Sequence, residues 1–261
     1  MTLRLSEREI KESVERITAN IAGYVEDANA NGVVVAFSGG LDSAVVLALA
    51  AKSGVDVKAL LMPETGVNKE EDLRHAESYA KKLGVVYEVI PIEWIADAVE
   101  KAFPWSKFPR ENIKLGKANI RPRTRMILNY LAANLDDRIV LGTGNKTELA
   151  LGYFTKYGDG GVDVLPIGSL YKTQVRQVAQ YIGVPKKIID KPPSAGLWQG
   201  QTDEGELGIT YEQADRILYA LIDEGKTVDD ACKSGADREE VDRISGRVKA
   251  NRHKCGLPPI L

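Results

Sequence analysis

The chain has 261 residues, 44% hydrophobic and 28% charged, with a formal net charge of −2. That length suffices for one large α/β domain or two small ones, and the near-neutral balance excludes nucleic-acid binding driven by bulk electrostatics. The charged first eleven residues lack a signal-peptide core, and no apolar run is long enough to span a bilayer. A cytoplasmic protein without membrane or nucleic-acid partners is expected.

Residues 6–29 read as an amphipathic helix. Ser6 and Glu9 form a capping box, and Ile10, Val14, Ile17, Ile21 and Val25 recur at helical spacing. The stripe suits packing on a sheet or a partner helix in a dimer. Residues 33–37 are a β-branched strand. The chain then turns through Ala36-Phe37-Ser38-Gly39-Gly40-Leu41-Asp42-Ser43 into an apolar helix that ends near Gly54. Paired glycines permit a tight turn and a close ligand. Serine hydroxyls and helix N-terminal N–H groups make a concavity suited to phosphate. Asp42 would repel a phosphate unless a cation lies between them, which points to Mg²⁺. A capped βα turn is the bland alternative. The string has no Walker lysine. It resembles the SGGxDS loop of the ATP pyrophosphatases, which cleave ATP between its α- and β-phosphates to adenylate a substrate.

A second strand is expected at 55–62, a polar loop at 63–68 that borders the nucleotide or is a plain connection, a helix at 69–83, a third strand at 85–90 and a helix from 91 to about 102. Alternating strands and helices imply a parallel sheet with ligands beyond its carboxyl edge. Residues 103–117 read as a packed loop or a docking surface. Arg121, Arg123 and Arg125 precede a helix at 126–135. Cations are disfavoured there by the macrodipole, so they call for anionic partners, by surface ion pairing or from a ligand.

A fourth strand at 138–141 runs into Gly142-Thr143-Gly144-Asn145, then a helix at 146–154 with Glu148 in its first turn, as dipole compensation or as a metal carboxylate. Residues 155–163, Thr-Lys-Tyr-Gly-Asp-Gly-Gly-Val-Asp, are a functional loop by composition, and 164–167 are extended. A helix is expected from Ser169 to Tyr181 with Lys172 in its first turn, where a cation again asks for an anion. A short helix follows at 185–189. Residues 190–208 lack periodicity and read as an active-site lid. Terminal helices are expected at 211–223, 228–233 and 238–249, before the basic cluster around His253 and Lys254. Cys232 and Cys255 show no zinc spacing; one disulfide is the alternative, and two buried or idle thiols in a reducing cytosol the favoured reading. No linker divides the chain, so residues 1–261 are expected to form a single domain.

The order SGGLDS, RTRM, LGTGN with a following Glu, FTKYGDGG, LYKTQ, PPSAGLWQGQTDE-GELGITY and RHK resembles the ammonia-dependent NAD⁺ synthetases over nearly the whole chain. The resemblance implies a Rossmann-like ATP pyrophosphatase fold, a parallel sheet with flanking helices and a C-terminal helical segment. It implies amidation of deamido-NAD⁺ with ammonia and ATP, through an acyl-adenylate, with release of AMP and pyrophosphate. Carried over by position, Ala36, Phe37, Ser38, Gly39, Gly40, Leu41, Asp42, Ser43, Thr143, Lys172 and Ser194 would bind ATP. Asp42 and Glu148 would hold Mg²⁺. Arg123, Lys156, Asp163, His253 and Lys254 would bind deamido-NAD⁺. Asp42, Lys172 and Asp163 would be catalytic, with Asp159 or Asp163 taking a proton from ammonium. Relatives often carry a P-T-A-D-L lid motif; here Pro193-Ser194-Ala195-Gly196-Leu197 keeps the hydroxyl and lacks the acid. A homodimer with the dinucleotide site across its interface is implied, giving the first helix its partner. No glutaminase domain is expected, so ammonia would come free or from a separate enzyme. Another adenylating or tRNA-modifying enzyme of the superfamily, and a non-catalytic nucleotide sensor, are the competing readings; FTKYGDGG argues against the first and Asp42 with Glu148 and Lys172 against the second.

Overall fold

The computed structural model describes residues 3–66, 70–194, 196, 200–233, 235–256 and 260. Its frame begins with helix α1 (Glu7–Asp27), strand β1 (Gly32–Ala36), helix α2 (Leu41–Lys52), strand β2 (Val57–Leu61), helix α3 (Glu70–Lys82) and strand β3 (Val86–Val89). Helices α4 (Glu93–Ala102), α5 (Arg110–Ala118) and α6 (Ile120–Asp136) then lead to strand β4 (Arg138–Leu141). The strands are all parallel, in the order β3-β2-β1-β4. Val33 sits opposite Val57 on one side and Ile139 on the other.

Val33, Val34 and Val35 are wholly buried because β1 is central and both its faces are covered. Successive side chains alternate between the faces. Val33, Val35, Val57, Ala59 and Leu61 pack with α1, α2 and α3, whereas Val34, Leu60, Met62 and Val140 pack with the α4–α6 side. α2 lies wholly within this packing, so it is apolar all round. Each Val or Leu buried in it contributes about 1.5–3 kcal/mol.

From β1 the chain winds outward through β2 to β3, then crosses the other face and returns beside β1 as β4. The winding therefore reverses between β1 and β4. This topology places a ligand crevice there, beyond the strand ends, where parallel sheets hold their ligands. The loops after β1 and β4 flank it.

Beyond β4 come α7 (Lys146–Leu151), α8 (Lys172–Tyr181), α9 (Lys186–Ile189), α10 (Asp203–Leu207), α11 (Tyr211–Leu218), α12 (Val228–Lys233) and α13 (Arg238–Asn251). α8 joins α1 and α2 against the sheet, while Leu151, Tyr171 and the apolar residues of α10–α13 form a second cluster. Both cysteines are free. No described helix is long and apolar enough to cross a membrane.

The Ser6 capping box forms as expected, with Ser6 Oγ accepting from Glu9 N and Glu9 Oε2 accepting from Ser6 N at 2.8 Å. Its apolar stripe, however, is covered by α2 and α8 within the same chain and is not free for a partner helix. Residues 110–118 are helical, where a loop was expected. Gly116 and the prolines at 104 and 109 mask the pattern, and the Trp105 ring packs over Gly116, 3.1 Å from where a Cβ would stand. α6 starts at Ile120, six residues before the expected Met126, because Pro122 lies in the first turn, where its missing N–H costs nothing. α10 lies inside the expected lid, and residues 195 and 197–199 of that lid fall outside the described residues, as do loop residues 67–69. Of the extended stretch after the glycine loop, Val164 makes a single parallel bridge to Leu141.

Candidate active site

The turn after β1 is held by its own polar groups. Gly39 adopts φ +75°, and a Cβ there would stand 3.2 Å from the Ala76 Cβ, so both conformation and space favour glycine. Gly40 N donates to Ser38 Oγ, Ser43 Oγ donates to the Gly40 carbonyl at 3.0 Å, and the two hydroxyls lie 3.0 Å apart. No side chain caps α2 at Gly40, and its first helical bond runs from Ala44 N to Gly40 O. The N–H groups of residues 41–43 thus have no intrahelical partner, which together with the dipole suits an anion. Phe37 and Leu41 are buried core residues; Phe37 packs on Tyr79 with ring centroids 6.3 Å apart. Any contact they make with a ligand is through the backbone.

Across the crevice, Asn145 caps α7. Its Oδ1 accepts from Glu148 N at 3.0 Å, and Glu148 Oε2 accepts from Asn145 N at 3.1 Å. Asn145 Nδ2 also donates to Asp42 Oδ1 at 3.1 Å, tying the β4 loop to the β1 loop. Lys172, first residue of α8, is 5% exposed and donates from Nζ to Asp42 Oδ2 and, at 3.3 Å, to Glu148 Oε1. Its Nζ lies 4.9 Å from the Tyr211 ring centroid. Asp42 and, more than a hundred positions later, Glu148 and Lys172 therefore converge at the reversal point.

Electrostatics follow from this packing. Glu148 keeps 17% of its side chain exposed, yet dense surroundings push its carboxyl up to about 8; Lys172 counters the burial and Asp42 adds to it. Burial alone would lower the Lys172 pKa, but Asp42 and Glu148 outweigh it and raise the group, which stays cationic. Among the described residues no group of three or more His, Cys, Asp or Glu is arranged to hold a metal. Two hard carboxylates beside a phosphate-type loop do fit Mg²⁺, which takes one or two protein carboxylates and completes its octahedron with phosphate oxygens and water.

The expected dinucleotide residues form a second, partly exposed group. Arg123 Nη2 donates to the Lys156 carbonyl at 3.4 Å, and Lys156 Nζ donates to the His253 carbonyl at 3.2 Å. Lys254 Nζ is engaged with the Gly152 and Phe154 carbonyls at 2.8 and 3.2 Å. Asp163 accepts from Tyr130 Oη at 2.9 Å and from Val140 N at 2.8 Å, so it anchors the glycine loop to β4 rather than joining the Lys172 cluster. Asp159 Oδ1 accepts from Thr155 N at 2.9 Å inside that loop. Of the three arginines, Arg121 pairs with buried Glu64 and Arg125 donates to the Met62 carbonyl at 3.2 Å, both protein partners. Thr143 is half-buried in the loop after β4, and Ser194 is exposed, accepting from Gly196 N.

Sequence reading missed Asn145, although Asn-Lys-Thr-Glu carries the capping-box spacing. It also missed Tyr211, Tyr153 and Asp203. Asp203 is buried and accepts from both tyrosine hydroxyls, at 3.0 and 3.2 Å, and its N–H donates to the Pro193 carbonyl, pinning the two ends of the lid segment together. No periodicity announces such long-range pairs.

A family model described as NAD synthase matches residues 13–258. An NH3-dependent NAD⁺ synthetase of Archaeoglobus fulgidus is 49% identical over 250 residues, with 95% of each chain covered. One from Methanocaldococcus jannaschii is 46% identical over 255 residues, with 96% of each covered. Among solved structures, an NMN synthetase from Francisella tularensis superposes with a TM-score of 0.85 at 34% identity, covering 99% of each chain. With the match over residues 13–258, the parallel sheet and the Asp42–Glu148–Lys172 cluster at its reversal point in agreement, this chain belongs to the NAD synthase family.

Proposed function

We propose that the chain amidates deamido-NAD⁺ with ammonia in an ATP-dependent reaction that yields NAD⁺, AMP and pyrophosphate. The convergence of Asp42, Glu148 and Lys172 beside the Ser38–Ser43 turn carries this reading. The nicotinate carboxylate attacks the α-phosphorus, and the bond to the bridging oxygen of pyrophosphate breaks. Ammonia then attacks the acyl carbon, a C–N bond forms, and AMP leaves. The substrate supplies the nucleophile, so the protein's work is positioning and charge stabilisation. The uncapped N–H groups of residues 41–43 and the Ser38 and Ser43 hydroxyls hold pyrophosphate, with Ala36, Gly39 and Thr143 shaping the nucleotide's bed. Lys172 offsets charge at the reacting phosphate. Asp42 and Glu148 would hold Mg²⁺, which supplies Lewis-acid neutralisation of phosphate oxygens. Arg123, Lys156 and the His253–Lys254 turn bind the acid substrate, and the lid expected at 190–208 keeps water from the acyl-adenylate. Asp163 supports this indirectly by holding the glycine loop.

A homodimer in the cytoplasm is the working form we infer, with ammonia arriving free or from a separate enzyme. Exposed Ile127, Leu131 and Leu135 on α6 support a self-association surface. The structural neighbour described as an NMN synthetase makes the nicotinate mononucleotide a rival acid substrate. Identities of 49% and 46% to relatives named NAD⁺ synthetase favour the dinucleotide.

The test is incubation with ATP, Mg²⁺, ammonium and either deamido-NAD⁺ or nicotinate mononucleotide. NAD⁺ and pyrophosphate are expected from the dinucleotide. Faster turnover of the mononucleotide would reassign the substrate, and no amide product from either would refute the reading. Asp42→Asn should lower turnover by at least about a hundredfold, the scale of losing one electrostatic group at a reacting centre.

A further inference from the structure

Asp215 of α11 has no exposed surface and no role in the site as described. Its Oδ1 accepts the Thr147 hydroxyl at 2.5 Å, and its Oδ2 accepts the Thr173 N–H at 2.9 Å. Because the Thr147 hydroxyl directs its proton to Asp215, its lone pairs are free, and it accepts the Lys172 N–H at 2.9 Å. Thr147 immediately precedes Glu148 on α7, and Thr173 immediately follows Lys172 on α8. One carboxylate therefore joins the N-terminal turns of the two helices that carry the Glu148 and Lys172 side chains. Negative charge at two helix N-termini also complements their dipoles.

The choice of residue is costly unless these bonds matter. A buried carboxylate is penalised by desolvation, and burial does push the Asp215 pKa up against its hydrogen bonds. An apolar side chain would hold α11 in the surrounding cluster of Leu151, Tyr171 and Leu218 without that penalty. It would leave the Thr173 N–H and the Thr147 hydroxyl without this acceptor, and the registry of α7 and α8 would rest on the Lys172–Thr147, Lys146–Leu170 and Asp223 bonds alone.

We propose that Asp215 is a positioning residue for the adenylation step, fixing the Lys172 ammonium against the Glu148 carboxylate through Thr147 and Thr173. This rests on the reading of Lys172 and Glu148 as the phosphate end of the site. A displacement of about 1 Å at such a group costs on the order of a hundredfold in rate.

The experiment compares NAD⁺ formation and thermal melting for the full chain and its Asp215→Asn, Thr147→Val and Thr147→Ser variants. Asp215→Asn and Thr147→Val should each lower kcat by roughly 10- to 100-fold while leaving the KM values for ATP and acid within about threefold, because alignment in the transition state is lost rather than ground-state binding. Thr147→Ser keeps the hydroxyl and should restore kcat to within about threefold of the parent. Combining Asp215→Asn with Thr147→Val should lower kcat no further than the worse single change, since both break one linkage. Folded variants with parental kcat, or Thr147→Ser as impaired as Thr147→Val, would overturn the proposal. Should Asp215→Asn fail to fold, Thr147→Val against Thr147→Ser decides it alone. An inactive parent chain would instead refute the function reading, and this proposal with it.

Discussion

Lys172 is the residue on which the site's charge balance turns. Two carboxylates share its ammonium in the protein alone, and the Glu148 carboxyl already stands at about 8. Lys172→Met would remove the cation that lowers the Glu148 pKa, so that carboxyl would take up a proton and Asp42 would lose its ammonium partner. A divalent cation would then gain what the ammonium gave up. The expected outcome is loss of NAD⁺ formation, together with a larger rise in melting temperature on adding Mg²⁺ alone than the parent chain shows. Equal Mg²⁺ shifts in the two proteins would mean the two carboxylates do not share a cation site. At this scale the sequence was most legible where chemistry and position coincide. Lys172 and Asp42 each contradict a simple local rule, a cation at a helix start and an anion in a phosphate loop, and each is resolved by the other. Arg121 contradicts the same rule, but buried Glu64 resolves it. Composition cannot tell a ligand's charge from a neighbour's.

Helix starts are the elements that build this site, and each is secured from a distance. Asp223, in the π-helical turn Tyr219–Asp223, accepts from Lys146 at the start of α7 and from the Tyr171 hydroxyl just before α8. Burial alone would raise its pKa, but these bonds outweigh it and hold the carboxyl below its ordinary 3.8. A depressed carboxyl adds stability above its unfolded pKa and loses it as pH falls through the folded one. Asp223→Asn should therefore be less stable than the parent by roughly 1–2 kcal/mol at pH 7, a difference that fades below about pH 4. Urea melts at pH 7 and pH 3 measure it, and a gap unchanged between them would remove Asp223's charge from the account. The strands and most helices were legible because burial on one face or two writes itself as period. α5 and α10 were not. α5 is interrupted by Gly116 and preceded by prolines, and α10 is five residues long. Its place is set by Asp203 reaching Tyr153 and Tyr211, contacts that leave no local pattern.

For the whole molecule, α6 connects the site to the surface where a second copy would dock. Ile127, Leu131 and Leu135 are spaced one turn apart and are 59%, 52% and 76% exposed. An apolar stripe of this kind on a lone chain is an association surface or an aggregation hazard. Arg123 stands one turn before Ile127 on the same helix, so a copy seated on the stripe would lie beside the residues read as binding the dinucleotide. Pairing and substrate binding should then fail together. The parent chain is expected to run at twice its 28.5 kDa in light scattering. Leu131→Glu would have to bury a carboxylate in the interface, at a cost of several kcal/mol, and should run at 28.5 kDa with its helix content intact. Its KM for deamido-NAD⁺ should rise by about tenfold or more while ATP binding, read by the melting shift with ATP and Mg²⁺, persists, because the Asp42–Glu148–Lys172 cluster lies within one chain. A dimeric Leu131→Glu variant would move the interface off α6. A monomeric variant with an unchanged KM would mean that each chain holds the whole dinucleotide site, and that Arg123, Lys156 and the His253–Lys254 turn bind it without help from a second copy.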